Sequence, residues 1–414
     1  MKGFRPSVSV VFFFMIFLIP GFVTAEEKKV FTLDALLSMA TEANPAAAVF
    51  RANIEASRGE AVSAGAYPNP EVEFEVGRGK SIETGESKGE YSLGIGQAIE
   101  WPSKRHFRKQ AAKASVEATE NELDDFRLQI RAEVKRAFFR LLADKKILET
   151  AGENSRITGE LLKTVELKVK AGEAPEFELI KAKVEALRAD KELKRAGNAI
   201  AVSKAVLNGL LGNAIKGDFD VEGVFRSPEK KYELQALLSV ALEKHPLVLK
   251  AKKDAEAKGY SLETERASVF PDVTLRGFFS KEFDKDSYGV GLSVPIPFWY
   301  QRKGEIAAAS AGKTRAEAEV YRTKVELAKS ITEEYQNYTT AIEQIEVFDK
   351  GLLNEAQEAL RIAEFSYRHG ESGLLEYLDT QRVYQSTFVE YYQSLFELES
   401  SLAALERVAG GLPQ

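Results

Sequence analysis

The chain has no cysteine, three histidines, three methionines and 13 prolines in 414 residues. Without cysteine there is no disulfide framework, thiolate metal site, iron–sulfur cluster or cysteine nucleophile. His106, His245 and His369 are far apart and lack metal-ligand spacing. A basic surplus is also missing: 57 Lys and Arg stand against 63 Asp and Glu, a formal charge of −6. A general nucleic-acid binder would show the opposite balance. There is no HExxH, no Walker A motif and no GxSxG. Gly94-Ile95-Gly96 and Gly289-Val290-Gly291 hold two glycines each and fall inside predicted strands. They read as small residues on a crowded face, not as phosphate loops. The expectation is therefore a protein that is not an enzyme, with no cofactor, no metal centre and no nucleic-acid partner.

Long apolar runs are confined to the first 25 residues. Lys2 and Arg5 form a basic start, and Val8 to Leu18 is apolar except for Ser9. Pro20 and Gly21 break the run, and Val23-Thr24-Ala25 is a small-residue cleavage site. Residues 1–25 are expected to be a secretory signal peptide. Glu26, not cysteine, follows it, so no lipid anchor is expected. An exported chain without a later spanning helix is soluble or enters a membrane as a β-barrel.

What the chain does contain is a copy of itself. TLDALLSMATEANP from Thr32 and ELQALLSVALEKHP from Glu233 agree at eight of fourteen positions, at an offset of 201. Pro70 matches Pro271 at the same offset, Tyr91 and Arg105 match Tyr288 and Arg302 at 197, and Gly172-Glu173 matches Gly370-Glu371 at 198. Such drift is the signature of loop-length variation. One large unit is written twice, over residues 26–211 and 231–414. Residues 212–230, with Gly, Asp and Pro, are the linker.

Each copy predicts one helix (about 32–66 and 231–268), two short strands, and a long helical tract (about 103–211 and 301–409) broken once at the repeated Gly-Glu. In the first strand Glu71, Glu73 and Glu75 alternate with Val72, Phe74 and Val76. Tyr91, Leu93, Ile95 and Ile99 share a face, as do Tyr288, Val290, Leu292, Val294 and Ile296. Asp272, Thr274 and Arg276 oppose Val273, Leu275 and Gly277. This pattern by itself favours a half-buried sheet in a soluble protein, and a lipid-facing barrel with a wet lumen needs the same pattern. The aromatics at the strand ends, Trp101 and Phe298-Trp299-Tyr300, favour the barrel, because such rings mark a headgroup boundary. Four strands do not close a channel, so several chains must share one barrel.

From Ser103 to Lys170 there is no proline, and at about 1.5 Å per residue that tract is roughly 100 Å long. The stretch from Arg302 to Arg368 is expected to match it. Helices of this length need partners along their sides. Phe388, Tyr391, Leu395, Leu398, Leu402 and Leu405 supply a heptad seam for one.

These features resemble the outer membrane factor family, the TolC-like exit ducts of Gram-negative tripartite efflux pumps. The resembling residues are Tyr67-Pro-Asn-Pro-Glu71, Gln97-Ala-Ile-Glu-Trp-Pro-Ser-Lys-Arg105, both Gly-Glu breaks and Leu374-Leu-Glu-Tyr-Leu-Asp-Thr380. The first two look closest to the branch that serves heavy-metal cation pumps of the RND type. The resemblance implies a mainly α fold with a small β part, built as a homotrimer in the outer membrane. A twelve-stranded barrel would sit in outer-membrane lipid above a twelve-helix periplasmic tunnel, with residues 212–230 and the C-terminal tail at its equator. It implies a periplasmic membrane-fusion adaptor, contacted at a tip of Gly172, Glu173, Gly370 and Glu371, and through it an inner-membrane pump. It marks Glu376 and Asp379 as gate carboxylates of the periplasmic aperture, whose counterparts in the first copy are Glu178 and Lys181. Glu71, Glu73 and Glu75 would line the barrel lumen. The same plan also fits a duct for drugs or for type I protein secretion, and a soluble periplasmic coiled-coil scaffold is a further alternative.

Overall fold

A computed structural model describes residues 29–227 and 232–412. The expected signal peptide and part of the linker lie outside the described residues. In chain order the first copy holds β1 (Lys29–Phe31), α1 (Leu33–Ala43), α2 (Pro45–Ala64), β2 (Glu71–Lys80), β3 (Ser87–Ile99), α3 (Pro102–Lys170) and α4 (Glu176–Leu210). β4 (Phe219–Val221) lies in the linker. The second copy holds α5 (Leu234–Lys244), α6 (Pro246–Ala267), β5 (Val273–Lys281), β6 (Asp286–Ser293), α7 (Lys303–Val347), a π-helical turn (Phe348–Leu352), α8 (Leu353–His369) and α9 (Leu374–Ala409).

The single opening helix expected in each copy is in fact two. Pro45 and Pro246 sit at the first position of α2 and α6. A proline ring disfavours helical backbone at the residue before it, and Asn44 and His245 are accordingly extended (ψ 125° and 135°). Both then act as N-caps. The Asn44 side chain accepts from Ala46 N at 2.8 Å, and His245 Nδ1 accepts from Leu247 N at 3.2 Å. His245 Nε2 also lies 3.1 Å from the Arg407 carbonyl at the end of α9, so one ring joins two helix termini.

The long tracts differ between copies. α3 is continuous for 69 residues. Its counterpart is interrupted at the π-helical turn, where Gly351 takes φ 122°. The expected unbroken helix from Arg302 to Arg368 is thus corrected to two helices. Only glycine adopts that backbone at little cost. β6 ends at Ser293, so Val294 and Ile296 extend the expected face beyond the strand itself.

Three apolar clusters lie along the helical body. One packs Leu36, Val134, Phe138, Leu141 and Leu207 with Phe219 and Val221 of the linker. The linker strand β4 pairs in parallel with β1, Phe219 opposite Lys29 and Val221 opposite Phe31, which clips the linker to the first copy. A second cluster joins Leu237, Val248, Ile331, Ile345, Leu395, Leu398 and Leu405, and thus contains much of the α9 seam. Tyr391 and Leu402 are half-buried against it, while Phe388 packs on Tyr384 at 4.7 Å. The third cluster lies near the Gly-Glu turns and holds Leu161, Val165, Tyr367, Leu374, Tyr377 and Leu378.

The linker is also held by Glu399 of α9. This carboxylate is 3 % exposed and accepts from Arg226 N at 2.8 Å. Burial pushes its pKa above the usual glutamate range. A carboxyl whose pKa is raised by folding contributes most below its unfolded value and loses that contribution as pH rises through the folded value. Glu399→Gln keeps an acceptor for Arg226 N without the charge. The variant is expected to have a higher unfolding midpoint than the parent at pH 7.5, and the difference is expected to vanish near pH 4. Thermal denaturation followed by circular dichroism at both pH values measures this.

Candidate functional site: the four-stranded sheet and the helical tip

The four longer strands form one antiparallel sheet in the order β2-β3-β5-β6. Residues directly opposite in register share a face. Glu71, Gly96, Arg276 and Gly291 form one such row, and Glu75, Ser92, Ser280 and Ser287 another. The three glutamates therefore lie with small and polar residues. Glu73 meets Arg276 at 3.2 Å, and Ser92 Oγ donates to Glu75 at 3.3 Å. Phe278, which alternation from Arg276 puts on this same face, was not singled out in the sequence. Its ring lies 3.0 Å from where a Cβ on Gly289 would stand, so Gly289 makes room for it.

The opposite face carries Val72, Phe74, Val76, Tyr91, Leu93, Ile95, Ile99, Leu275, Phe279, Tyr288, Val290 and Leu292, all exposed. Gln97 interrupts it, and its amide donates to the Pro68 and Ala98 carbonyls. β2 and β6 are the sheet's edges, each paired on one side only. An uncovered apolar face and two open backbone edges are costly in water. Among the described residues no helix is long and apolar enough to cross a membrane.

The elbow where strands pass into α3 joins the two copies. Lys104, 8 % exposed, makes a 2.7 Å ion pair with Asp272, which also accepts from Trp101 N at 3.1 Å. Trp101 stacks on Phe270 with ring centres 5.3 Å apart. The Arg105 guanidinium lies 4.0 Å from the Tyr67 ring centre and donates to the Gly65 carbonyl. Phe298, Trp299 and Tyr300 are exposed at the matching end of the second copy, and Tyr300 donates to Glu305 at 2.7 Å.

At the far end of the helices Gly172 and Gly370 take φ 78° and 76°. Glu173 N and Glu371 N each donate at 2.8 Å to the carbonyl five residues back, Lys168 and Ser366. That is the same glycine-closed helix end, written twice. All four tip residues are exposed. Behind them Tyr367 and Tyr377 stack in parallel at 5.7 Å, with Lys168 Nζ 4.5 Å from the Tyr367 ring centre. Burial pushes the Tyr377 phenol up to about 12.

Leu374, Tyr377, Leu378 and Gln381 point α9 into the tip core, which leaves Glu376 and Asp379 exposed on its free side. Contacts that local pattern does not reveal hold this segment. Arg382 pairs with Glu185 of α4. Gln381 donates to Asn154 of α3 at 2.8 Å, and Asn154 donates to Gln385 at 2.7 Å. At the matching place in the first copy, the ammonium of Lys181 lies 4.4 Å from the Phe177 ring centre. Among the described residues no group of three His, Asp or Glu has the arrangement to hold a metal ion.

The outer membrane efflux protein family model matches residues 36–213 and 237–411. The cobalt-zinc-cadmium resistance protein CzcC of Cupriavidus metallidurans is 24 % identical over 387 residues, covering 92 % of this chain and 90 % of that protein. The pyoverdine export outer membrane protein OpmQ of Pseudomonas putida is 24 % identical over 404 residues, covering 92 % and 86 %. A solved structure of CusC, described in terms of folding and transmembrane channel formation, superposes with a TM-score of 0.80 at 17 % identity. It covers 99 % of each chain.

Lys104→Met removes the ammonium but keeps the buried stem. It is expected to lower stability by about 1–3 kcal/mol, the cost of leaving the Asp272 carboxylate without its charged partner. Urea unfolding of the variant against the parent tests this, and Asp272→Asn in the same background is expected to recover part of the loss.

Proposed function

Because the chain belongs to the outer membrane efflux protein family, we propose that it is the homotrimeric exit duct of a tripartite pump that expels heavy-metal cations. Membership places it in the outer membrane, in efflux. The observation that carries the duct reading is the sheet: four strands with an uncovered apolar face and two open edges. Lipid tolerates such strands only when every edge is paired, which requires closure. Three copies joined β6 to β2 would close twelve strands, with Glu71, Glu73 and Glu75 toward the lumen and the apolar face toward lipid.

The helices support the same association. On α4, Phe177, Ile180, Val184 and Leu187 repeat three and four apart and are all exposed. On α8, Ile362 and Phe365 are exposed as well. These are unpartnered seams of the kind that neighbouring helices cover. The Gly172 and Gly370 turns, with Glu173 and Glu371, would then meet a periplasmic adaptor that links the duct to an inner-membrane pump. Trp101, Phe298, Trp299 and Tyr300 would sit at the inner headgroup boundary.

Glu376 and Asp379, repeated about a threefold axis, would place six carboxylates around the periplasmic aperture. Such a ring draws cations and repels its own members. The similarity to a cobalt-zinc-cadmium resistance protein supports metal cations as cargo. A relative named for pyoverdine export, equally identical, supports a second reading in which the duct serves organic exports. A deletion strain separates the two. Sensitivity to cobalt, zinc or cadmium that the wild-type gene restores is expected for the first, and unchanged metal tolerance overturns it.

In planar bilayers the purified protein is expected to conduct ions and to migrate as a heat-sensitive trimer on electrophoresis. Replacing both Glu376 and Asp379 with Ala is expected to raise conductance at least about twofold and to weaken block by divalent cations. Unchanged conductance and unchanged block would remove the gate assignment.

A further inference from the structure

The apolar face of the sheet ends differently at its two ends. Toward the helices it meets Trp101, Phe298, Trp299 and Tyr300. Toward the hairpin turns, register carries the same face into cations. Arg78 and Lys80 follow Val72, Phe74 and Val76 at the next two outward positions of β2. Lys281 of β5 lies directly across from Tyr91, which itself lies across from Val76. Lys88 and Glu90 alternate onto the other face.

Arg78, Lys80 and Lys281 are exposed, and none has an ion-pair partner among the described residues. Asp286 stands opposite Lys281 in register but outside ion-pair distance. The surface beside Arg78 is bare. Its cross-strand partner is Gly89, where an added Cβ would meet nothing within 4 Å. Space next to a guanidinium fork suits a tetrahedral oxyanion.

The height of these groups fixes the environment they meet. From Ile99 to Tyr91 the apolar face spans nine residues of β3. At about 3.3 Å each and a tilt near 40°, that is roughly 20 Å of vertical rise, close to the apolar band of an outer-membrane barrel. The cations begin where this band stops, on the end away from the helical body. Given the membrane placement above, that level is the headgroup layer of the outer leaflet. We propose that Arg78, Lys80 and Lys281 form an outward-facing site for the phosphate groups of outer-leaflet lipid. The site rests on the duct reading, because it needs this face to look into lipid.

The test uses the full-length protein reconstituted in phosphatidylcholine nanodiscs, titrated with bis-phosphorylated lipid A or with its dephosphorylated form. Bound lipid is counted by native mass spectrometry. The parent is expected to retain the phosphorylated form about tenfold more strongly, in line with several cations near an anionic headgroup. Arg78→Gln combined with Lys80→Gln and Lys281→Gln is expected to abolish that preference. No preference in the parent, or a preference kept by the triple variant, overturns the proposal. Complete displacement of lipid A by inorganic phosphate would make the site one for free anions and overturn the lipid assignment. Insertion into phosphatidylcholine alone is scored separately by protease protection. Failure there removes the duct reading itself, whereas insertion without phosphate preference removes only this site.

Discussion

A β-strand edge is a row of backbone donors and acceptors, and in hydrocarbon there is no water to satisfy them. The exposed side chains of this sheet make hydrocarbon the natural surroundings of one face, while β2 and β6 leave two such rows open. Both conditions hold together only if the rows find each other through copies of the same chain. The rest of the molecule follows from that demand. On the proposed reading the polar face, with its glutamates and glycines, would become the inside of a ring, and the helices would continue from it as a bundle whose exposed apolar stripes await neighbours.

The two copies are fastened to one another at particular points. Lys104 and Trp101 from the first copy converge on Asp272 from the second at the elbow. Lys135 of α3 pairs with Glu406 of α9 near the linker, and Arg382 reaches Glu185 near the tip. These cross-links lie at the top, middle and bottom of the helical body. They set the relative position of the two hairpins at three levels, with apolar clusters filling the space between.

Local pattern carries much of this architecture in the sequence. Strict alternation in β2 predicts the two faces, and the repeated Gly-Glu predicts both tip turns because glycine is what a left-handed helix end requires. The division of each opening helix is a signal the single-helix expectation passes over: Pro45 and Pro246 stand at a first-turn position, and Asn44 is a favoured cap. Other features were not. β1 and β4 are three residues each and pair across 190 positions, so no periodicity announces them. The Glu185–Arg382 pair and the Gln381–Asn154–Gln385 chain join helices far apart in sequence, where each side chain alone looks like one more solvated charge or amide. Phe278 hides for another reason: it breaks the polar pattern of its face, and only Gly289 on the next strand explains why it fits.

The duplicated design is least symmetrical at Gly351. The first hairpin presents a single uninterrupted rod, whereas the second contains a swivel partway along, on the limb that precedes the acidic end of α9. A rod resists curvature along its whole length, and a jointed limb concentrates it at one place. The two copies therefore differ in stiffness, and any bending of the long limbs would be shared unequally between them, with the jointed limb yielding first.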